Sequence, residues 1–245
     1  MDDGADLSGA TVREVQLRHT RIANAWVEDL SITGFVQGLV VNGVDVTSFV
    51  EAELDRQYPE RVEVREAKTP DQLRHAWSRV SALWAETVAR AERLPEETRF
   101  ERVAGEWSIA ETLRHLVFAT DAWAARTILD RERPFHPYGL NHTEYPRDSA
   151  REIGLDLDAT PGWAEVLEMR RDRQAQMDEI LAGVGGADLE RPCQRPALPG
   201  YRDEHPTVGL CLHVVVSEEC EHRRFAERDL DVLLAAGAEG SDAGA

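Results

Sequence analysis

Apolar positions along the chain change period twice. From residue 5 to about 41 they recur every fifth position: Leu7, Val12, Leu17, Ile22, Val27 and Ile32. A second row runs two positions ahead: Ala5, Ala10, Val15, Thr20, Ala25, Leu30, Phe35 and Val40. Period five matches neither a helix nor simple strand alternation. Asn42-Gly43, between Val40-Val41 and Val44-Asp45-Val46, is a hairpin-turn signal. Ser48 and Glu51 form a capping box for a short helix ending near Gln57, and Pro59 ends it. Residues 59–68 read as a connector.

Four helical runs follow. The first opens at Thr69-Pro70-Asp71-Gln72, an N-cap threonine before a proline at the first helical position. Its stripe is Leu73, Trp77, Val80, Trp84, Val88 and Ala91. The second opens with the capping box Ser108-Ile109-Ala110-Glu111 and reaches about Asp130, with Ile109, Leu116 and Trp123 on its core face. The third spans Thr160-Pro161 to about Leu181, and Arg170 and Gln174 interrupt its apolar face. The fourth begins at Thr207 and runs past His222 to Leu234, leaving a small polar tail over 237–245. The links 131–159 and 187–206 are long, and loops of that length are more often functional or mobile. Four amphipathic runs of this length predict a helix bundle.

The five-residue rows resemble the pentapeptide-repeat pattern, in which a central Leu-like residue and a small residue two before it face the inside of a four-sided β-helix. The central row fails at Gln37 and amounts to about two coils, below the three or more stacked units a solenoid usually needs. The expected organisation is a β-rich cap with a short helix over 1–58, a four-helix bundle over 65–236 and a flexible tail over 237–245.

Composition narrows the functional classes. Twenty-eight basic against 46 acidic side chains give −18, which argues against nucleic-acid or anionic-membrane partners. Cys193, Cys211 and Cys220 make an odd count without a CxxC, which fits a reducing cytoplasm rather than a disulfide framework. Met1-Asp2-Asp3-Gly4 has no basic or apolar leader signal. No apolar run approaches the ~20 residues of a membrane span. Gly-rich phosphate loops, GxSxG and HExxH do not occur.

The chemistry concentrates in Ser217-Glu218-Glu219-Cys220-Glu221-His222. On a helix, Glu218 and His222 lie one turn apart on a face shared with Cys211, Val214, Val215, Phe225, Val232 and Leu233. A charge in an apolar stripe needs a partner or a metal, and a Glu and a His one turn apart can both ligate a divalent cation. His115, beside the stripe of the second helix, is the candidate third donor. Two imidazoles and one carboxylate leave coordination positions open, as at a catalytic site. A surface ion pair is the plainer reading of Glu218 and His222 on spacing alone.

Trp107-Ser-Ile-Ala-Glu-Thr-Leu-Arg-His115-Leu116, followed about 100 residues later by His213-Val-Val-Val-Ser-Glu-Glu-Cys-Glu-His222, resembles the DinB/YfiT-like superfamily of four-helix bundles over about residues 65–235. It is similar in particular to actinobacterial DinB-like proteins and to the N-terminal metal domain of mycothiol-dependent maleylpyruvate isomerases. The resemblance implies a divalent metal, zinc first, with nickel or iron as alternatives, held by His115, Glu218 and His222. It implies transfer or isomerisation chemistry on a small molecule, with a low-molecular-weight thiol as cosubstrate. Arg170 and Gln174 are then candidates to anchor a substrate carboxylate or amide, with a partner such as Glu111 or Asp229 the plainer role for Arg170. His136, Tyr138 and His142 are candidates to line the mouth, with a solvated loop as the plainer reading. Two other classes stay open: a non-catalytic module, with the N-terminal cap mediating homodimerisation or partner binding, and a metal-dependent hydrolase.

Overall fold

Capping fixes where the long helices start. Thr69 accepts from the Gln72 N–H while the Gln72 side chain accepts from the Thr69 N–H, and Ser108 with Glu111 repeats the arrangement. Each box satisfies donors that a helix start would otherwise leave unpaired. The computed structural model describes residues 6–13, 15–143, 145–200 and 205–242. In chain order these form β1 (Val40–Val41), β2 (Val44–Asp45), α1 (Thr47–Gln57), α2 (Glu60–Glu66), α3 (Pro70–Ala91), α4 (Ile109–Thr120), a π-helical continuation (Asp121–Ile128), α5 (Arg147–Glu152), α6 (Trp163–Gly183) and α7 (Val208–Asp242).

The chain divides into two units, 1–47 and 48–245. In the second, α7 packs against α2, α3, α4 and the π-helical turns, and α4 also packs against α6. The core holds the predicted α3 stripe: Leu73, Trp77, Val80, Trp84 and Ala91 are buried, with Val88 packed beside them. Trp77 and Trp84 keep their indole N–H groups satisfied, on the Asp178 carboxylate at 2.6 Å and the Glu219 carbonyl at 3.0 Å. The unit is mainly helical, as the periodicity predicts.

Several boundaries differ from expectation. The helix α1 belongs to the helical unit, because Arg61 and Arg65 of α2 bind its Asp55, and Arg61 also binds Glu51 and, on α7, Glu221. Glu51 is thus held by arginine rather than by Ser48. Helix α6 starts after Gly162 rather than at Thr160, with the Glu165 carboxylate accepting from the Gly162 N–H. Helix α7 continues through Gly237 to Asp242, where a tail was the expectation. Residues 243–245 lie outside the described residues.

The first unit is not β-rich. Its one described sheet is the Asn42-Gly43 hairpin, pairing Val40 with Asp45 and Val41 with Val44. Asn42 and Gly43 take φ of 50° and 86°, the left-handed pair that such a two-residue turn requires. Period five does persist in the backbone, with left-handed residues at Gly9, His19, Asn24, Asp29 and Gly34. The side chains do not close on a core: Leu7, Val12, Leu17, Ile22, Val27 and Ile32 are all more than half exposed. The row two positions ahead is exposed as well from Ala10 to Val40, and its Ala5 lies outside the described residues. About two coils supply turns but too few neighbours to enclose a centre.

Candidate metal centre

Helix α7 is buried over a wide arc because neighbours flank it on several sides. Val208, Cys211, Leu212, Val215, Val216, Cys220, Ala226 and Leu230 are all buried. The face expected from sequence is therefore rotated: its Val232 is half exposed, whereas Cys220 and Glu219, outside that face, are buried. Glu218 and His222 lie at the edge of the buried arc, with side chains 34% and 22% exposed. The edge position leaves these side chains in reach of solvent while α4 supplies His115, only 8% exposed, from the inside.

These three side chains converge. The Glu218 Oε2 atom is 3.4 Å from His115 Nε2 and 3.1 Å from His222 Nε2, and the three donor atoms lie within 4.8 Å of one another. Metal–donor distances of about 2.0–2.2 Å would place tetrahedral donors about 3.3–3.6 Å apart, a spacing that the 3.4 Å and 3.1 Å edges at Glu218 approach. Trp107 covers the histidines, its ring centroid 4.8 Å from that of His115 and 6.0 Å from that of His222, and Phe225 meets His222 edge-on.

The hydrogen bonding of His115 sets its tautomer. Its Nδ1 is 3.0 Å from the Leu140 carbonyl, which can only accept, so Nδ1 carries the proton. Nε2 of the neutral ring is then a lone pair aimed at an acceptor carboxylate oxygen. Two acceptors face each other, and a cation between them relieves the conflict. Burial drives the His115 pKa below the ordinary imidazole value, against the pull of Glu218, so a second ring proton is disfavoured. Burial also acts to raise the Glu218 carboxyl, but the neighbouring His115 and His222 outweigh it and hold it well below the usual carboxylate range. A neutral imidazole and an ionised carboxylate are the ligand forms a divalent metal needs.

The family comparison fits this geometry. A model of the DinB superfamily matches residues 72–226, the span from α3 through both α7 donors. The chain belongs to the DinB superfamily. No curated protein and no solved structure matches it. Membership and the donor cluster together give this DinB protein a candidate metal site. No described helix is long and apolar enough to cross a membrane.

The other sequence candidates of this DinB chain are not among the three converging donors. Arg170 is 3% exposed and paired with Glu219, so neither Glu111 nor Asp229 is its partner, and it is enclosed rather than turned to a substrate. Glu111 is taken up by the Ser108 cap and by Arg102. Gln174 is half-buried on α6. His136 belongs to a second polar cluster, where its N–H donates to Asp121 and its Nδ1 accepts from the Tyr138 N–H. Tyr138 offers its carbonyl to Arg114. His142 packs near Phe118, itself beside His115. The long loop thus clamps α4 near the donors, and the Leu140 carbonyl is its direct contribution. A hollow of about 400 Å³ lined by Phe100, Ser108, Glu111, Arg114 and Gly162 contains none of the three donors.

Sequence reasoning gave no role to Trp107, Glu219 or Asp121. Glu219 extends the row Val208, Leu212, Val215 by one more turn, a usable signal. Asp121 opens the π-helical turns and accepts from Arg173 Nε at 2.8 Å and Nη2 at 3.1 Å. Burial raises its carboxyl to about 6, against the opposing pull of Arg173. A folded pKa above the ordinary 3.8 means that the folded state holds this proton more tightly. The stability it contributes is therefore complete below pH ~3.8 and lost as pH rises past 6, a swing of ~3 kcal/mol. Urea midpoints should show it: the native chain's advantage over Asp121→Asn is expected to shrink from pH 4 to pH 7. A difference that stays flat with pH counts against this assignment.

Proposed function

We propose that this protein is a metal-dependent thiol S-transferase or isomerase of the mycothiol-dependent type. Its divalent ion, zinc first and nickel or iron next, is held by His115, Glu218 and His222. The observation that carries the reading is the convergence of one donor atom from each of His115, Glu218 and His222 within 4.8 Å of one another. Two imidazoles and a carboxylate suit zinc, nickel or iron better than calcium or magnesium. The partial exposure of Glu218 and His222 favours an open coordination side over a closed structural site.

A divalent ion at this position would lower the pKa of a coordinated thiol and present it as thiolate at neutral pH. The thiol has to come from outside the chain. All three cysteines are buried, and burial pushes the Cys220 thiol up to about 12. The protein's own part is to orient and to exclude water. The Leu140 carbonyl fixes the His115 ring, while Trp107 and Phe225 shield the histidines with apolar surface.

Cobalt substitution tests this reading. The cobalt-loaded protein is expected to develop a sulfur-to-metal charge-transfer band on titration with a low-molecular-weight thiol, and the zinc form to accelerate addition of that thiol to an electrophile. Metal uptake without a thiol band would leave the non-catalytic module. Ester cleavage without thiol would instead favour a hydrolase.

A further inference from the structure

Residues 7–44 hold thirteen of the nineteen large apolar side chains that stand exposed among the described residues. Trp26 and Phe35 are 92% and 93% exposed, and no described residue between 6 and 47 is buried. This segment nevertheless has a regular conformation, with left-handed turns at Gly9, His19, Asn24, Asp29 and Gly34. A repeating backbone without a core is an incomplete stack: repeat units bury their apolar faces against units of the same period. Exposed apolar rows of this length mark interaction surfaces.

Charge selects the partner. At −18 the chain repels its own copies over most of its surface. Between residues 6 and 47 only three arginines and five carboxylates occur, a balance of −2. They are also unevenly placed: Arg13, Arg18 and Arg21 lie in the first half with Asp6 and Glu14, a balance of +1, and Glu28, Asp29 and Asp45 lie in the second, a balance of −3. A patch that is apolar, near neutral and opposite in net sign in its two halves is complementary to itself when turned about a twofold axis.

We infer that residues 7–44 are a homodimerisation surface. Two copies stack antiparallel, burying Trp26 and Phe35 and setting the arginines of each copy against Glu28 and Asp29 of the other. The inference is independent of the metal, which lies on the helical unit.

Sedimentation equilibrium of the full chain tests it. The native protein is expected to shift with concentration between 27.5 kDa and twice that mass. Trp26→Asp combined with Phe35→Asp should stay at 27.5 kDa at every concentration, with unchanged helical circular dichroism and metal uptake. Both side chains are almost fully exposed, so this variant disturbs no core. Arg18→Glu should weaken the dimer at least tenfold, and adding Glu28→Arg to it should restore association. A native chain that is monomeric throughout overturns the inference, as does a dimer that survives the double aspartate variant. A mass that grows past the dimer also overturns it, because a twofold interface closes.

Discussion

A His222→Ala variant is expected to bind zinc at least about a hundredfold more weakly than the native chain. Loss of residues that merely orient a ligand costs about 10–100-fold in metal affinity, and loss of a donor costs more. With His222 gone, His115 and Glu218 form only one edge of the tripod, 3.4 Å long. His222 is the most informative donor to remove because its side chain is 22% exposed and rims the core. The metal-free variant should therefore unfold within about 1 kcal/mol of the native chain. Zinc at a hundred times the native Kd should stabilise the native protein by about 2.7 kcal/mol and the variant by no more than about 0.4 kcal/mol. Competition with a chromophoric chelator reads the affinity, and urea unfolding with and without zinc reads the linkage. Equal zinc affinity in both chains would show that the donor set is wrong. His115→Ala is a poorer probe, because its ring is buried against Trp107 and Phe118 and its loss disturbs packing as well.

The second large effect concerns Arg170 and Glu219. They are 3% and 1% exposed and hydrogen-bonded to each other between α6 and α7. Burial pushes the Glu219 carboxyl up, against the pull of Arg170. The pair is incompletely satisfied: Arg170 Nε and Nη1 and Glu219 Oε1 have no hydrogen-bond partner among the described residues. Removing one partner strands the other charge, so Arg170→Met alone, or Glu219→Leu alone, should cost about 3–5 kcal/mol. The double variant strands nothing and fills the space with apolar volume. It should match the native chain or exceed it by about 1–4 kcal/mol. Urea midpoints across this cycle give the coupling directly. Single variants that each cost less than about 1 kcal/mol would mean that the pair carries little charge.

How far the sequence leads depends on what holds each feature in place. Local rules place the starts of α3 and α4, because Thr69-Gln72 and Ser108-Glu111 are self-contained caps. Periodicity finds the α3 stripe, since α3 has one buried face. It misplaces the inner face of α7, where a wide buried arc blurs the contrast that periodicity measures. Glu219 falls outside the expected face for that reason, and with it the partner of Arg170. At the site, the spacing of Glu218 and His222 and the position of His115 are enough to nominate three donors. They do not reveal Trp107 as their cover. The five-residue rows predict the recurring turns of the first unit but not its open interior, because closure depends on how many coils stack.

The orienting partner of His115 is a main-chain atom, and this bears on how the protein can change over generations. A carbonyl is contributed by whatever residue stands at position 140, so no single substitution there deletes the hydrogen bond. The sequence of that loop is free to drift as long as its path past α4 is kept. Insertions and deletions that redirect the path are the changes to which the site is vulnerable. Relatives with the same chemistry can therefore share three donor side chains while their loops look unrelated letter by letter.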